Sequence, residues 1–314
     1  MSDRPPLTAQ HQPFYDVIVI GAGAAGLSAG LWCDELGFKT LLLEENAEIG
    51  GQLLRVYNPI ENHLGTESAV DGRELRNKFA AQIKKRNFVI KIEARVAIID
   101  LTGKQIVLAN GEQLSARFLI LATGVRRRTL NVAGETDFKN CGLLESGKRD
   151  ARLIAGKTVC VVGGGDAAAE NALILAEHAK RIYLVHRSNK FRARAEFLER
   201  IKSDPRIEML TDTKVLQIIG DKQITAIKLD HDGQQFEIAV DAMLLRIGVE
   251  PNSDLVRDQL ETDSSGYIIV NSRCETSVKN VLAIGDVANP LAPTVSSAVG
   301  MGATAAKVIA AHSI

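Results

Sequence analysis

The sequence predicts an α/β protein built from two Rossmann-like dinucleotide-binding domains, each a three-layer ββα arrangement. Three observations predict it. The segment "YDVIVIGAGAAGLSAGLWCDELGFKTLLLEE" reads as strand, glycine turn, helix and strand. The segment "GKTVCVVGGGDAAAENALILAEHAKRIYLVHRS" repeats that layout in the middle of the chain, and "NVLAIGDVANP" is a late buried strand ending in Gly285-Asp286. An internal repeat of one supersecondary unit implies two nucleotide sites.

Composition narrows the partners. With 314 residues and 46% hydrophobic content, the chain can bury two medium-sized cores. Lys plus Arg and Asp plus Glu both number 38, so no net field draws the protein toward nucleic acid or an acidic membrane. Small molecules or proteins are the expected partners. Residues 1–13 lack the apolar stretch of a signal peptide and read as a mobile arm, so the chain is expected in the cytoplasm. The charge-free run from Val17 to Cys33 is short and interrupted by Gly21, Gly23, Gly26 and Gly30, which argues against a transmembrane segment. Cys33, Cys141, Cys160 and Cys274 form no CxxC and show no metal-ligand spacing. They read as reduced thiols, with no metal site.

In the first unit a buried strand, Val17 to Ile20, runs into Gly21-x-Gly23-x-x-Gly26. Gly21 permits the tight turn, Gly23 lets backbone N–H groups approach a pyrophosphate, and Gly26 lets helix and strand pack closely, with phosphate charge held at the helix N-terminus. Glu44 stands eighteen residues past Gly26 at a strand end, placed to accept hydrogen bonds from ribose hydroxyls and to disfavour a 2′-phosphate. Next, "RVAIIDLTGKQIVLANGEQLSARFLILATG" reads as short strands with "ANGEQL" as a hairpin turn, closing on Ala122-Thr123-Gly124. Arg126, Arg127 and Arg128 follow at a linker, as a solvated hinge or a phosphate contact.

The second unit carries a strand from Thr158 to Val162, then Gly163-x-Gly165-x-x-Ala168, a helix opened by Asp166 and Ala167, and a strand to Val185. Where the first unit has Glu44, the second has His186 and Arg187. A base in place of an acid suits a 2′-phosphate, with Arg192 as a further ligand, so NADP(H) is expected there. The stretch "QITAIKLDHDGQQFEIAVDAMLLRIG" repeats the strand theme. The Ala/Gly-rich helix of "TVSSAVGMGATAAKVIAAH" suggests close approach to something flat.

Taken in order, "GAGAAG", "IGGQLLRVYNPIENHLG", "ATG", "VAGETDFKNCG", "GGGDAAAE", "HRSNKFRA", "GVEPNS" and "CETSVKNVLAIGD" resemble the two-dinucleotide-binding-domain flavoproteins, and within them the low-molecular-weight thioredoxin reductases. The resemblance covers nearly the whole chain after about residue 14. It implies an FAD domain from 14–124 and 245–314, an NAD(P)H-type domain inserted at 125–244, and a homodimer. It implies FAD contacts at Gly21, Gly23, Ala24, Ala25 and Gly26, at Glu44 by the adenosine ribose, at Gly51 and Gln52 beside the flavin, and at Glu45 and Leu53. Asn62 matches an Asn near the flavin ring, and Asp286, after Gly285, matches the acid at the ribityl or phosphate end. Val96, Ala122, Thr123, Gly124, Thr294 and Val295 complete that set. Gly163, Gly165, Asp166, Ala167, His186, Arg187 and Arg192 form the second.

The departures from the family pattern bear on function. Aligning "FKNCGLLESGKRD" puts Ser146 and Arg149 where the two redox cysteines belong, with Asp150 kept. A serine hydroxyl forms no disulfide and an arginine supplies no thiolate. The family's Arg-Arg pair is here Arg187-Ser188, and its Arg-Gln-Ala is Pro293-Thr294-Val295.

Three readings stay open at this level. One is an FAD-dependent oxidoreductase passing electrons between NADP(H) or NAD(H) and a redox partner protein or small-molecule acceptor. The second is a diflavin-linked disulfide oxidoreductase with a second FAD at the second site and a non-standard disulfide, for which Cys141 is the redox candidate. The third is a non-catalytic flavin-binding regulatory protein.

Overall fold

The computed structural model describes residues 13–66 and 70–313. The arm expected at 1–13 therefore lies, except for Pro13, outside the described residues. The chain begins β1 (Phe14–Ile20), α1 (Ala24–Glu35), β2 (Thr40–Leu43), α2 (Gly72–Ile83), β3 (Val89–Lys91), β4 (Val96–Asp100), β5 (Gln105–Leu108), β6 (Gln113–Leu121) and β7 (Val125–Arg127). There follow β8 (Leu143–Leu144), α3 (Gly147–Asp150), β9 (Thr158–Val162), α4 (Asp166–Ala176), β10 (Arg181–Val185), α5 (Ala195–Ser203), β11 (Ile207–Leu210), β12 (Thr213–Gly220), β13 (Ile224–His231), β14 (Gln234–Ala239) and β15 (Ala242–Leu245). The return is made by β16 (Val249–Pro251), β17 (Val281–Ala283) and α6 (Val295–His312).

Two compact units result, one through Arg126 and again from Glu250, the other Arg127–Val249. The sequence reading drew these crossings at 124/125 and 244/245. They fall at 126/127 and 249/250, inside β7 and β16. Arg126 binds Glu250 at 2.8 Å and Asp254 at 2.6 Å, and Arg128 Nε donates to the Val249 carbonyl at 2.9 Å. Arg126 and Arg128 therefore have partners while remaining exposed.

In the first unit the sheet order is β3-β2-β1-β6-β5-β4, with β17 beside the C-terminal half of β6. β1 is parallel to both β2 and β6, and its residues alternate between two cores. Val17 and Val19 join α1 and α6 residues in one cluster, while Ile18 and Ile20 join Ile99, Ile106 and Leu114 in the other. A strand buried on both faces reads as a continuous apolar run, as "VIVI" does. Small residues of α6 meet α1. A Cβ on Gly302 would stand 2.6 Å from the Ala25 carbonyl, and Ser28 Oγ donates to the Val299 carbonyl at 2.7 Å.

In the second unit all strands of the sheet β11-β10-β9-β15-β8 are parallel, and β12-β13-β14 form an antiparallel meander. Val159 and Val161 pack with α4 residues, while Cys160 and Val162 pack with meander residues. Each unit is therefore a Rossmann-like α/β layer structure. Among the described residues, no helix is long and apolar enough to cross a membrane.

Candidate functional site

In the first unit, β1 ends in a turn that only glycine fits. Gly21 has φ of 106°, and a Cβ there would lie 2.3 Å from the Ala122 carbonyl oxygen. The chain enters α1 through Gly23, which offers no capping side chain, so the first helical N–H groups are left facing outward. Gly50 N–H donates to the Ala22 carbonyl at 2.8 Å, laying the Gly50–Gln52 turn against the glycine turn. Together these segments line a cleft of about 620 Å³, within the size range of small-molecule and cofactor sites.

Of the residues expected to contact FAD, the cleft is lined by Gly21, Gly23, Ala24, Ala25, Glu44, Glu45, Gly51, Gln52, Leu53, Val96, Ala122, Thr123, Gly124, Gly285, Asp286, Thr294 and Val295. Two are placed elsewhere. Gly26 sits behind the turn, where a Cβ would be 1.9 Å from the Gly21 carbonyl, so it serves helix packing. Asn62 is exposed on its loop and off the cleft.

Two carboxylates on this cleft have different surroundings. Glu44 is 5% exposed and accepts from Ala22 N–H (2.9 Å), Asn46 N–H (3.0 Å) and Asn46 Nδ2 (2.7 Å). It therefore ties the glycine turn to the end of β2 while keeping some acceptor capacity. Asp286, after β17, meets no hydrogen-bond or ion-pair partner among the described residues, and burial pushes its pKa up. A desolvated, unpartnered carboxylate costs free energy until hydroxyl or N–H groups reach it. Asn252 lines the cleft too, although only its motif "GVEPNS" signalled it. Its Nδ2 donates to the Thr123 carbonyl at 2.8 Å and its carbonyl accepts from Thr123 Oγ1 at 2.7 Å, which holds the Ala122–Gly124 turn. Arg55 and Arg95 line the cleft with no sequence signal.

In the second unit the glycine turn recurs at the end of β9. Gly163 has φ of 148°, and a Cβ there would lie 2.2 Å from the Arg246 carbonyl. Gly165 precedes α4 without a capping side chain, and Asp166 accepts from Arg194 N–H at 2.7 Å and Nε at 3.0 Å. Ala167 is exposed on the first turn of α4. The loop after β10 folds back on this turn: Arg192 N–H donates to the Gly164 carbonyl at 2.7 Å, and the His186 ring covers Gly164. Burial, and then Arg187 and Arg192, lower the His186 pKa despite a bond to the Lys190 carbonyl, so its ring is neutral at neutral pH. Arg187 and Arg192 are exposed and meet no carboxylate among the described residues. In contrast, Arg181, Arg194 and Arg206 are all paired.

The Glu145–Asp150 segment is a closed hydrogen-bonded turn. Asp150, 2% exposed, accepts from Glu145 N–H (2.7 Å), Ser146 N–H (3.0 Å), and Arg149 Nε (2.6 Å) and Nη2 (3.2 Å). Burial works to raise its pKa, but these donors outweigh it and the value is lowered. Gly147 N–H donates to Asn171 Oδ1 at 2.8 Å, fixing α3 on α4. All four cysteines are free. Burial pushes the Cys33 thiol up to about 12 and Cys274 to about 11, and raises fully buried Cys160 as well. Cys141 is half-buried and packs against the meander cluster.

A family profile described as pyridine nucleotide-disulphide oxidoreductase matches residues 15–302. The chain belongs to this family. It is an FAD-dependent oxidoreductase with a thioredoxin reductase-like fold. The thioredoxin reductase of Mycolicibacterium smegmatis is 33% identical over 298 residues, covering 94% of this chain and 95% of the relative. That of Treponema pallidum (strain Nichols) is 33% identical over 307 residues, covering 95% and 97%. The crystal structure of Lactococcus lactis thioredoxin reductase superposes with a TM-score of 0.82 at 29% identity, over 95% of this chain and 98% of that one. The sequence of this chain carries both glycine turns and contains no CxxC.

Proposed function

We propose that this chain passes electrons between a pyridine nucleotide held at its second glycine turn and FAD held in the first-unit cleft, and on to an acceptor other than a disulfide of its own. The observation that carries the reading is the cysteine placement. No thiol lies on the Glu145–Asp150 turn, and Cys33, Cys160 and Cys274 are buried with raised pKa values. A thiol that holds its proton so firmly is a poor nucleophile.

The cleft fits FAD. Uncapped N–H groups at the start of α1 suit a pyrophosphate, Glu44 retains acceptor capacity for a ribose, and Asp286 lacks the partner that a ribityl hydroxyl would provide. FAD, when bound, supplies two-electron transfer chemistry that needs no protein nucleophile. The residues of this chain bind, orient and shield. In the second unit, Gly163 and Gly165 with the start of α4 form the phosphate cradle, and Arg187 and Arg192 bring unpaired charge for a 2′-phosphate, which favours NADP(H) over NAD(H). His186, neutral, shapes the turn without adding charge.

The acceptor is a disulfide-bearing partner protein or a small molecule reduced without an internal dithiol relay. Any thiol step on this chain falls to Cys141. Four free thiols fit a reducing compartment such as the cytoplasm, and the resemblance to thioredoxin reductases favours a homodimer.

The test is the flavin-to-protein ratio of purified protein, followed by anaerobic NADPH and NADH titration of the flavin absorbance. One FAD per chain, bleached by NADPH at lower concentration than by NADH, is expected. Two flavins per chain with no bleaching would sink the reading in favour of a second FAD at the second site.

A further inference from the structure

The carboxyl edge of the second-unit sheet holds a charged group that the binding scheme above leaves without a role. In the order β11-β10-β9-β15-β8 the strand sequence reverses between β9 and β15. Ligands of open α/β sheets settle at such a switch point, outside the carboxyl ends of the strands. Gly163 directly follows β9, Arg246 directly follows β15, and Glu145 directly follows β8.

Arg246 is half-buried, yet among the described residues it has no carboxylate in contact. Its Nη1 donates to the Leu245 carbonyl and its Nη2 to the Glu145 carbonyl, both at 2.9 Å. Arg127 Nη1 donates to the same Glu145 oxygen at 2.7 Å, so two guanidinium groups converge on one carbonyl. Glu145 and Asp150 are engaged with other arginines. Glu145 Oε1 faces Arg127 at 3.3 Å, and Asp150 is filled by Arg149 and two backbone N–H groups. Burial, then the Arg127 charge, lowers the Arg246 pKa to about 10, against the pull of Glu145, Asp150 and Glu170. The side chain stays cationic at neutral pH, and its remaining N–H donors suit a forked contact with a phosphate.

We propose that Arg246, assisted by Arg127, forms an anion subsite at the carboxyl edge of β15 and β8 that takes the nicotinamide-side phosphate of the dinucleotide held at the second glycine turn. This rests on the assignment of a pyridine nucleotide to that turn. Arg187 and Arg192 grip the adenosine side, and Arg246 grips the phosphate beyond it, so the dinucleotide is held at both halves.

The test is calorimetric titration of full-length protein and its Arg246→Gln and Arg246→Lys variants with NADPH and with 2′,5′-ADP, which ends before the nicotinamide-side phosphate. Arg246→Gln is expected to weaken NADPH on the order of 10- to 100-fold, to leave 2′,5′-ADP unchanged, and to be partly rescued by lysine. An unchanged NADPH affinity overturns the subsite. Equal weakening of both ligands also overturns it, because Arg246 would then only prop the turn. An Arg187→Ala variant reports on the underlying assignment separately, since it should weaken both ligands. If the unmutated protein binds neither ligand, the nucleotide site fails and the subsite with it.

Discussion

Replacing Asp150 by asparagine tests whether the Glu145–Asp150 turn is a structural lock. All the acceptor capacity of this carboxylate is spent: two backbone N–H groups and two guanidinium N–H groups converge on it at 2.6–3.2 Å. An amide can turn its oxygen toward Glu145 and Ser146, but its NH₂ then opposes Arg149 Nε, which must swing out. That side chain is 43% exposed, so losing its ion pair costs under about 1 kcal/mol. The two backbone bonds change from charge-assisted to neutral, at roughly 1 kcal/mol each. Asp150→Asn should therefore cost about 2–3 kcal/mol. Asp150→Ala should cost more, because it leaves Glu145 and Ser146 N–H groups without a partner, and Arg149→Ala should cost under about 1 kcal/mol. The single tryptophan, Trp32, lies in the other unit, so urea unfolding must be followed by circular dichroism, with amide exchange of residues 143–150 as the local readout. Since the Asp150 pKa is lowered on folding, its contribution is present above the unfolded carboxylate value and is lost as pH falls through the folded one. The difference between wild type and Asp150→Asn should therefore vanish in strong acid. An Arg149→Ala variant as costly as Asp150→Asn, or an Asp150→Asn variant with unchanged exchange at Glu145 and Ser146, would refute the argument.

Asp286→Asn should lower flavin content, read as the 450-to-280 nm absorbance ratio. Because burial raises the Asp286 pKa on folding, the stability it contributes is full below the unfolded value and lost as pH rises through the folded one; the same variant should therefore stabilise the apoprotein at neutral pH, and a destabilised variant with full flavin would contradict both statements. Gly26→Ala places a Cβ 1.9 Å from the Gly21 carbonyl and should cost at least about 2 kcal/mol while releasing flavin; wild-type melting with full flavin would show the turn can relax. A thiol reagent on native protein should label Cys141 rapidly and the other three only on unfolding, and rapid labelling of two or more thiols would overturn the burial argument.

What could be read from residue types alone were positions at which backbone geometry admits one answer. Gly21 and Gly163 have positive φ and carbonyl oxygens about 2.2 Å from where a side chain would begin, so a strand followed by such a glycine is legible without knowing the rest of the fold. Glu44 was legible as a position but not in its partners, since its bonds to Ala22 and Asn46 depend on how β2 lies against β1. The small residues of α6 were legible as a close approach to something flat but not in what approaches, and α1, from the far end of the chain, is one such neighbour. Asn62 was placed by motif order, and its loop carries it off the cleft. Arg246 gave no signal because its meaning comes from Glu145 and Arg127, distant in sequence and joined to it only by the parallel pairing of β15 with β8. Local geometry therefore declares itself in residue type, while electrostatics assembled across a sheet edge does not.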